Sequence, residues 1–155
     1  MASVTKRLLK ELQNIQREPP HDDIITLGPT SDENILQWRA VLRGPSDTPY
    51  YGGAFELRIS ISDQYPIQPP TLTFVTPVCH PNVNFGTGEI CLDILKSRWS
   101  PAWTLASTCL AVHLLLSDPE PSSPLNCDAA NLLRCGDTVG YNSLVSFYTR
   151  MYALE

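Results

Sequence analysis

Apolar residues near the start of the chain recur at helical spacing: Val4, Leu8, Leu12 and Ile15 lie four, four and three positions apart on one stripe, ahead of Pro19-Pro20. The stripe predicts an amphipathic helix from near Ser3, and the prolines end it because they carry no backbone N–H. The period then changes. Ile24 to Leu27 reads as a short strand. From Ile35 to Leu42, Leu36, Trp38, Ala40 and Leu42 alternate with Gln37 and Arg39, and later Phe55, Leu57, Ile59 and Ile61 alternate with Glu56 and Arg58. Alternation of this kind predicts half-buried strands, whose successive side chains leave opposite faces. Thr71 to Val75 adds a fourth strand after Tyr65-Pro66-Ile67-Gln68-Pro69-Pro70. Closely spaced prolines there remove ladder donors, and the short connections predict an antiparallel meander.

From Thr76 to Trp103 neither period persists for 28 residues, longer than ordinary connections. Ordered loops of that length usually carry function. Leu105, Cys109, Val112 and Leu116 then predict a buried helix ending before Asp118-Pro119. Asn126 is placed to cap a short helix through Arg134. Asp137 or Thr138 caps a last helix, with Tyr141, Leu144, Tyr148 and Met151 on its expected inner stripe. The expected architecture is α+β, one domain over residues 1–155: an N-terminal helix, a four-stranded antiparallel meander, a long loop and three helices.

Composition narrows the function classes. Of 155 residues 43% are apolar and 17% charged, which suits one packed core. The formal charge of -5 offers no general attraction to phosphate backbones, so no nucleic-acid partner is expected. Basic residues do gather at Lys6, Arg7, Lys10 and Arg17, either as a solvated helix face or as a docking surface. No apolar run reaches the roughly 18 residues that span a bilayer, and no signal-peptide core opens the chain, so direct membrane insertion is not expected. Ala153-Leu154-Glu155 does not match the Ser-Lys-Leu type of peroxisomal import address. Five cysteines, at 79, 91, 109, 127 and 135, contain no Cys-x-x-Cys pair. That pattern fits neither a secreted disulfide framework nor a zinc ribbon and suggests cytosolic thiols, although one pairing within the C-terminal trio stays open.

The long loop holds His80-Pro81-Asn82, then Cys91-Leu92-Asp93-Ile94-Leu95, then Trp99-Ser100-Pro101-Ala102-Trp103. With the basic first helix, Gly44-Pro45, Tyr50 with Gly52-Gly53, and Tyr65-Pro66 with Pro69-Pro70, these motifs resemble the ubiquitin-conjugating enzyme family over essentially the whole chain. The resemblance implies that Cys91 is a nucleophile that carries ubiquitin as a thioester. Thioester exchange needs an accessible thiol that attacks well and leaves well. Cys79, Cys109, Cys127 and Cys135 keep the commoner role of inert thiols. Two roles are open to Asn82: stabilising the oxyanion formed on acyl transfer, or supporting the loop through backbone hydrogen bonds. His80 is expected to brace the loop.

The same resemblance implies further surfaces. Lys6, Arg7 and Lys10 match residues that meet the ubiquitin-activating enzyme. Ile67, Ser100, Pro101 and Ala102 match loops that contact a RING-type ligase. Leu110, Leu125 and Asp93 match positions facing bound ubiquitin, with ordinary core packing equally open to Leu110. No cofactor or metal is implied, because ATP is used by the activating enzyme. The chain departs from many relatives at Cys79, where they carry tyrosine before His-Pro-Asn, and at Ser122 and Ser123, where they carry an acid that helps deprotonate an attacking lysine. A cysteine acceptor, partly thiolate near neutral pH, is the expected alternative to lysine.

The step from His80 to Cys91 is eleven positions, where most relatives have ten. That extra residue, with Ser100 to Thr104 and Pro124 to Arg134, resembles the peroxisomal branch. The implied setting is the cytoplasm, with recruitment to the cytosolic face of the peroxisomal membrane. The implied partners are a membrane anchor of the peroxin twenty-two type and an import-receptor substrate undergoing recycling. Rival readings are a general cytosolic conjugating enzyme, a non-catalytic ubiquitin-binding adaptor of the same fold, a cysteine peptidase pairing Cys91 with His80 or His113, and a zinc module on Cys79, His80 and Cys91.

Overall fold

The chain is described for residues 2–154 by a computed structural model. Helix α1 (Ala2–Arg17) presents Val4 and Leu8 to the interior, but the next fully buried position is Glu11, with Leu12 only partly covered. Positions 4, 8, 11 and 15 follow the 3.6-residue period as well as the apolar set does.

Four strands follow: β1 (Ile24–Pro29), β2 (Gln37–Arg43), β3 (Ala54–Ser60) and β4 (Thr71–Phe74). They pair in chain order as an antiparallel meander. Trp38, Ala40 and Leu42 lie opposite Ile59, Leu57 and Phe55, and all six are buried on the inner face. Cross-strand pairs of this kind stabilise a sheet and set its register, since a one-residue slip would turn every apolar side chain outward. The Trp38 indole donates to the Ile35 carbonyl at 2.7 Å, so its polar edge is satisfied inside the core.

Helices α2 (Leu105–Ser117), α3 (Cys127–Arg134) and α4 (Thr138–Tyr152) follow; α2 packs on β1 and β2, and α3 and α4 pack on each other. Each begins at a side-chain cap. Thr104 and Ser107 form a reciprocal capping box, Asn126 accepts from the Ala129 N–H, and Asp137 accepts from the Gly140 N–H. Leu105, Cys109, Val112 and Leu116 are buried, as their spacing predicts.

Helix α4 departs from its expected stripe. Met151 is 54% exposed and Leu144 and Tyr148 are half-covered, whereas Tyr141, Val145 and Thr149 face the core at a spacing of four. Tyr148 and Tyr152 instead pair with Phe85 from the long loop, at ring-centroid distances of 5.0 and 6.0 Å. Apolar character alone therefore misplaced the helix face by part of a turn.

Candidate active site

The residues around Cys91 are held by backbone hydrogen bonds rather than by regular structure. Val83 and Ile90 form an isolated antiparallel bridge, and Thr73 and Glu89 form another that joins this segment to the end of β4. Between the bridges the chain reverses through residues 84–89. The Asn84 N–H donates to Glu89 (2.9 Å), the Gly88 N–H donates to Asn84 (2.8 Å), and the Asn84 side chain accepts from the Gly86 and Thr87 N–H groups. Gly88 has φ +77, and a Cβ on it would lie 2.0 Å from the Phe74 carbonyl oxygen, so no other residue fits there without moving the turn or β4. A short 3₁₀ turn over Asp93–Leu95 follows the cysteine.

The Cys91 N–H donates to the Asn82 carbonyl at 2.8 Å, and its side chain is partly exposed. Cys79 and Cys109 are buried, and loss of hydration pushes their thiols up to about 11 and about 12. Neither forms the thiolate that acyl exchange needs near neutral pH. Cys127 and Cys135 are exposed, and all five thiols are free, so no pairing forms within the C-terminal trio.

His80 is fully buried and bonded at both ring nitrogens. Nδ1 accepts the Asn82 N–H at 2.9 Å, which leaves the proton on Nε2 to donate to the Leu115 carbonyl at 2.7 Å. Burial lowers its pKa to about 4, so the ring is neutral and occupied. The ring is a strut between the loop and α2.

Asn82 is 1% exposed. Its amide donates to the carbonyls of Glu120 (2.7 Å) and Ser123 (3.1 Å), and its oxygen accepts the Glu120 N–H at 2.7 Å. Pro81 adds two bonds, its carbonyl accepting the N–H groups of Leu125 and Asn126. His80-Pro81-Asn82 is thus the spine on which Cys91 and the segment 118–126 are both hung. In this arrangement both amide hydrogens of Asn82 are committed to the loop, and an oxyanion role requires one of them to change partner. Within that loop the Glu120 carboxylate accepts from the Ser122 hydroxyl and N–H, which hold it below the ordinary carboxylate range.

The other candidate residues distribute over three regions. Lys6 and Lys10 are exposed on α1. Arg7, expected beside them as a docking cation, turns inward: its Nε bonds Glu11 (2.9 Å), its Nη2 donates to the carbonyls of Pro101 (3.0 Å) and Trp103 (2.9 Å), and the guanidinium lies over the Tyr65 ring. Ile67 is 74% exposed, and Ser100, Pro101 and Ala102 are exposed beyond it. The two loops are joined by the Trp99 indole, which donates to the Pro66 carbonyl at 2.9 Å. Asp93 is exposed beside Cys91, while Leu110 and Leu125 are each partly covered.

Three buried polar residues brace this region; the sequence reading held Tyr50 and Tyr65 only as motif positions and missed Glu11 altogether. Glu11 is buried at the junction of α1, α2 and the Tyr65 turn. Tyr65 donates to it at 2.5 Å, and Tyr50 donates to the Cys79 carbonyl at 2.6 Å. Glu11 carried a signal too, as a charge on the apolar stripe of α1.

His113 lies on α2 with Nε2 3.6 Å from Asp23, on the side of β1. No hydrogen bond joins either histidine to Cys91, which removes the geometric basis for a peptidase dyad. Among the described residues no three histidine, cysteine or acidic side chains gather as metal ligands, and no helix is long and apolar enough to cross a membrane.

Comparison with known proteins places this geometry. The family description "Ubiquitin-conjugating enzyme" matches residues 7–149. The chain is 53% identical over 154 residues to Protein PEROXIN-4 of Arabidopsis thaliana, covering 99% of this chain and 98% of that protein. It is 52% identical over 146 residues to the ubiquitin-conjugating enzyme E2 pex4 of Dictyostelium discoideum, covering 94% and 97%. Among solved structures, the H. polymorpha ubiquitin-conjugating enzyme Pex4p, crystallised with the soluble domain of Pex22p, superposes with a TM-score of 0.92 at 40% identity, covering 97% of this chain and 98% of that one.

Proposed function

Because this chain belongs to the ubiquitin-conjugating enzyme family and is an E2 ubiquitin transferase, we propose that Cys91 is its acyl carrier. The Cys91 thiolate attacks the carbonyl carbon of the ubiquitin thioester on the activating enzyme. A new S–acyl bond forms, the activating enzyme's cysteine departs as thiolate, and ubiquitin is left on Cys91. ATP is spent earlier by the activating enzyme, so this chain needs no cofactor. An acceptor nucleophile then attacks the same carbonyl, and Cys91 leaves.

One observation carries this reading: in the motif-bearing loop, Cys91 is the partly exposed thiol, held by its own N–H to the His80-Pro81-Asn82 spine, while neighbouring Cys79 is buried and its thiol pushed up. The experiment is a comparison of reducing and non-reducing gels after mixing the chain with ATP, ubiquitin and its activating enzyme. The native chain gives a thiol-sensitive adduct and Cys91→Ala gives none. An undiminished adduct with Cys91→Ala overturns the assignment.

The reading extends to the peroxisome through the relatives that carry the peroxin-4 name. We assign the chain to the cytosolic face of the peroxisomal membrane, held there by an anchor of the type seen with H. polymorpha Pex4p, with an import receptor as substrate and a RING-type ligase at Ile67 and Ser100 to Ala102. Lys6 and Lys10 are the cations left free on α1 to meet the activating enzyme, whose complementary surface is acidic. Binding of the purified soluble anchor domain, read by calorimetry, tests the branch; no heat at concentrations that saturate Pex4p overturns it.

The acceptor follows from loop chemistry. Ser122 and Ser123 offer no carboxylate to take a proton from a lysine, and Glu120 in the same loop is engaged by the Ser122 hydroxyl and N–H, whereas a cysteine acceptor arrives partly ionised. Discharge from the charged enzyme is therefore expected to be faster with free cysteine than with free lysine at equal concentration near neutral pH. Lysine discharge as fast as in an acid-containing relative, without cysteine product, contradicts this.

A further inference from the structure

Glu11 occupies a place that α1 would normally fill with leucine. It is 5% exposed, and a buried carboxylate is costly unless every lone pair finds a donor. Here three donors converge. One oxygen accepts the Leu105 N–H at 2.7 Å, where α2 begins; the other accepts Arg7 Nε at 2.9 Å and the Tyr65 hydroxyl at 2.5 Å. With Nε fixed, the far edge of the planar Arg7 guanidinium is aimed at the segment 99–103, where it holds the Pro101 and Trp103 carbonyls.

That segment belongs to no helix or strand. Its own turn is secured by the Trp103 N–H to Ser100 at 3.0 Å, and the Trp99 indole ties its start to Pro66. Its end is tied by Arg7. The side chains of Ser100, Pro101 and Ala102 are exposed, so the position of the backbone beneath them sets what a partner meets.

We propose that Glu11, acting through Arg7, is a positioning residue for ligase recognition: it holds the 99–103 loop in the shape that a RING-type ligase binds. The inference rests on the assignment of Ile67 and Ser100 to Ala102 as the ligase surface. It also separates Arg7 from Lys6 and Lys10, because an activating enzyme that captured Arg7 would have to pull it off the loop. Glu11→Gln keeps the shape of the side chain and an acceptor for Leu105. It removes the charge and one of the acceptor sites that fix Arg7. Arg7→Lys keeps the charge but cannot hold a carboxylate and two carbonyls in one plane.

The test uses the full-length chain charged with ubiquitin on Cys91, and as probe a purified RING domain that accelerates discharge by the native chain. Discharge to free amino acid is followed at rising RING concentration. Glu11→Gln is expected to raise the half-saturating RING concentration by about tenfold, corresponding to loss of one good contact's worth of affinity. The maximal rate, the RING-free rate and the charging rate stay within about twofold of native. Arg7→Lys raises the half-saturating concentration as well, and Ile67→Ala serves as the control for the surface itself. If Ile67→Ala shifts half-saturation and Glu11→Gln does not, the positioning role is overturned and the surface assignment stands. If neither shifts it, the surface assignment is overturned and the proposal with it. Equal losses in charging, RING-free discharge and maximal rate also overturn the proposal, since they mark a general loss of fold.

Discussion

Three of the four hydrogen-bonding positions on the Asn82 amide are used in the folded enzyme, all on the backbone of Glu120 and Ser123. The side chain therefore contributes to stability whatever it does during acyl transfer. Asn82→Ala is expected to lower the unfolding free energy by about 1–3 kcal/mol, the usual cost of stranding buried backbone groups. Urea denaturation measures this, and an unchanged midpoint together with slowed discharge would locate the role of Asn82 in the transition state instead. His80 makes a pH prediction. Its pKa is about 4 in the fold and near 6.5 when unfolded, so between these values the unfolded chain binds a proton that the native chain refuses. Stability is then complete above about pH 6.5 and falls as pH drops toward 4, by on the order of 3 kcal/mol from this residue. Burial lowers the pKa of His113 too, with the same sign. Unfolding free energies at pH 7 and pH 4.5 test it; equal values contradict it. At this scale the motif residues were legible in the sequence because their types and order are distinctive. The partners of Arg7 were not, because a contact between residues 7 and 101 leaves no local pattern.

The strands of the meander were legible because period two is strict in Trp38, Ala40 and Leu42 and again in Phe55, Leu57 and Ile59. Helix α4 was less so. Tyr148, Met151 and Tyr152 are apolar enough to suit a core, yet Tyr141, Val145 and Thr149 form the buried line and the aromatic side pairs with Phe85. Pairing in the active-site loop was not legible either, since its two bridges are isolated and join segments without alternation. Their presence gives Gly88 a measurable role. Its positive φ and the approach of the Phe74 carbonyl mean that Gly88→Ala must displace either the turn or β4. The expected cost is about 1–3 kcal/mol, with slower charging of Cys91 because the bridge at Ile90 is disturbed. Gly86→Ala is the control: the nearest atom to its added Cβ is Asn84 Oδ1 at 3.5 Å, ordinary contact. Comparable stability and charging in the two variants would contradict the role given to the 84–89 turn.

At the scale of the whole molecule, α2 packs on β1 and β2, and the proposed chemistry sits in the irregular segment between β4 and α2. Exposed lysines collect on α1 at Lys6 and Lys10, and Arg7 of the same helix bridges Glu11 to the Pro101 carbonyl in the loop proposed to meet a ligase. In the proposed function, charging and discharge draw on different exposed groups, and both converge on a single sulfur. The most direct measurement replaces that sulfur by oxygen. Cys91→Ser, incubated with ATP, ubiquitin and the activating enzyme, is expected to form an adduct that survives thiol treatment but not mild base, because an oxyester resists thiols while remaining hydrolysable. Intact mass and peptide mapping place the modification at residue 91. A thiol-sensitive adduct on Cys91→Ser, or one mapped to Cys127 or Cys135, contradicts the account.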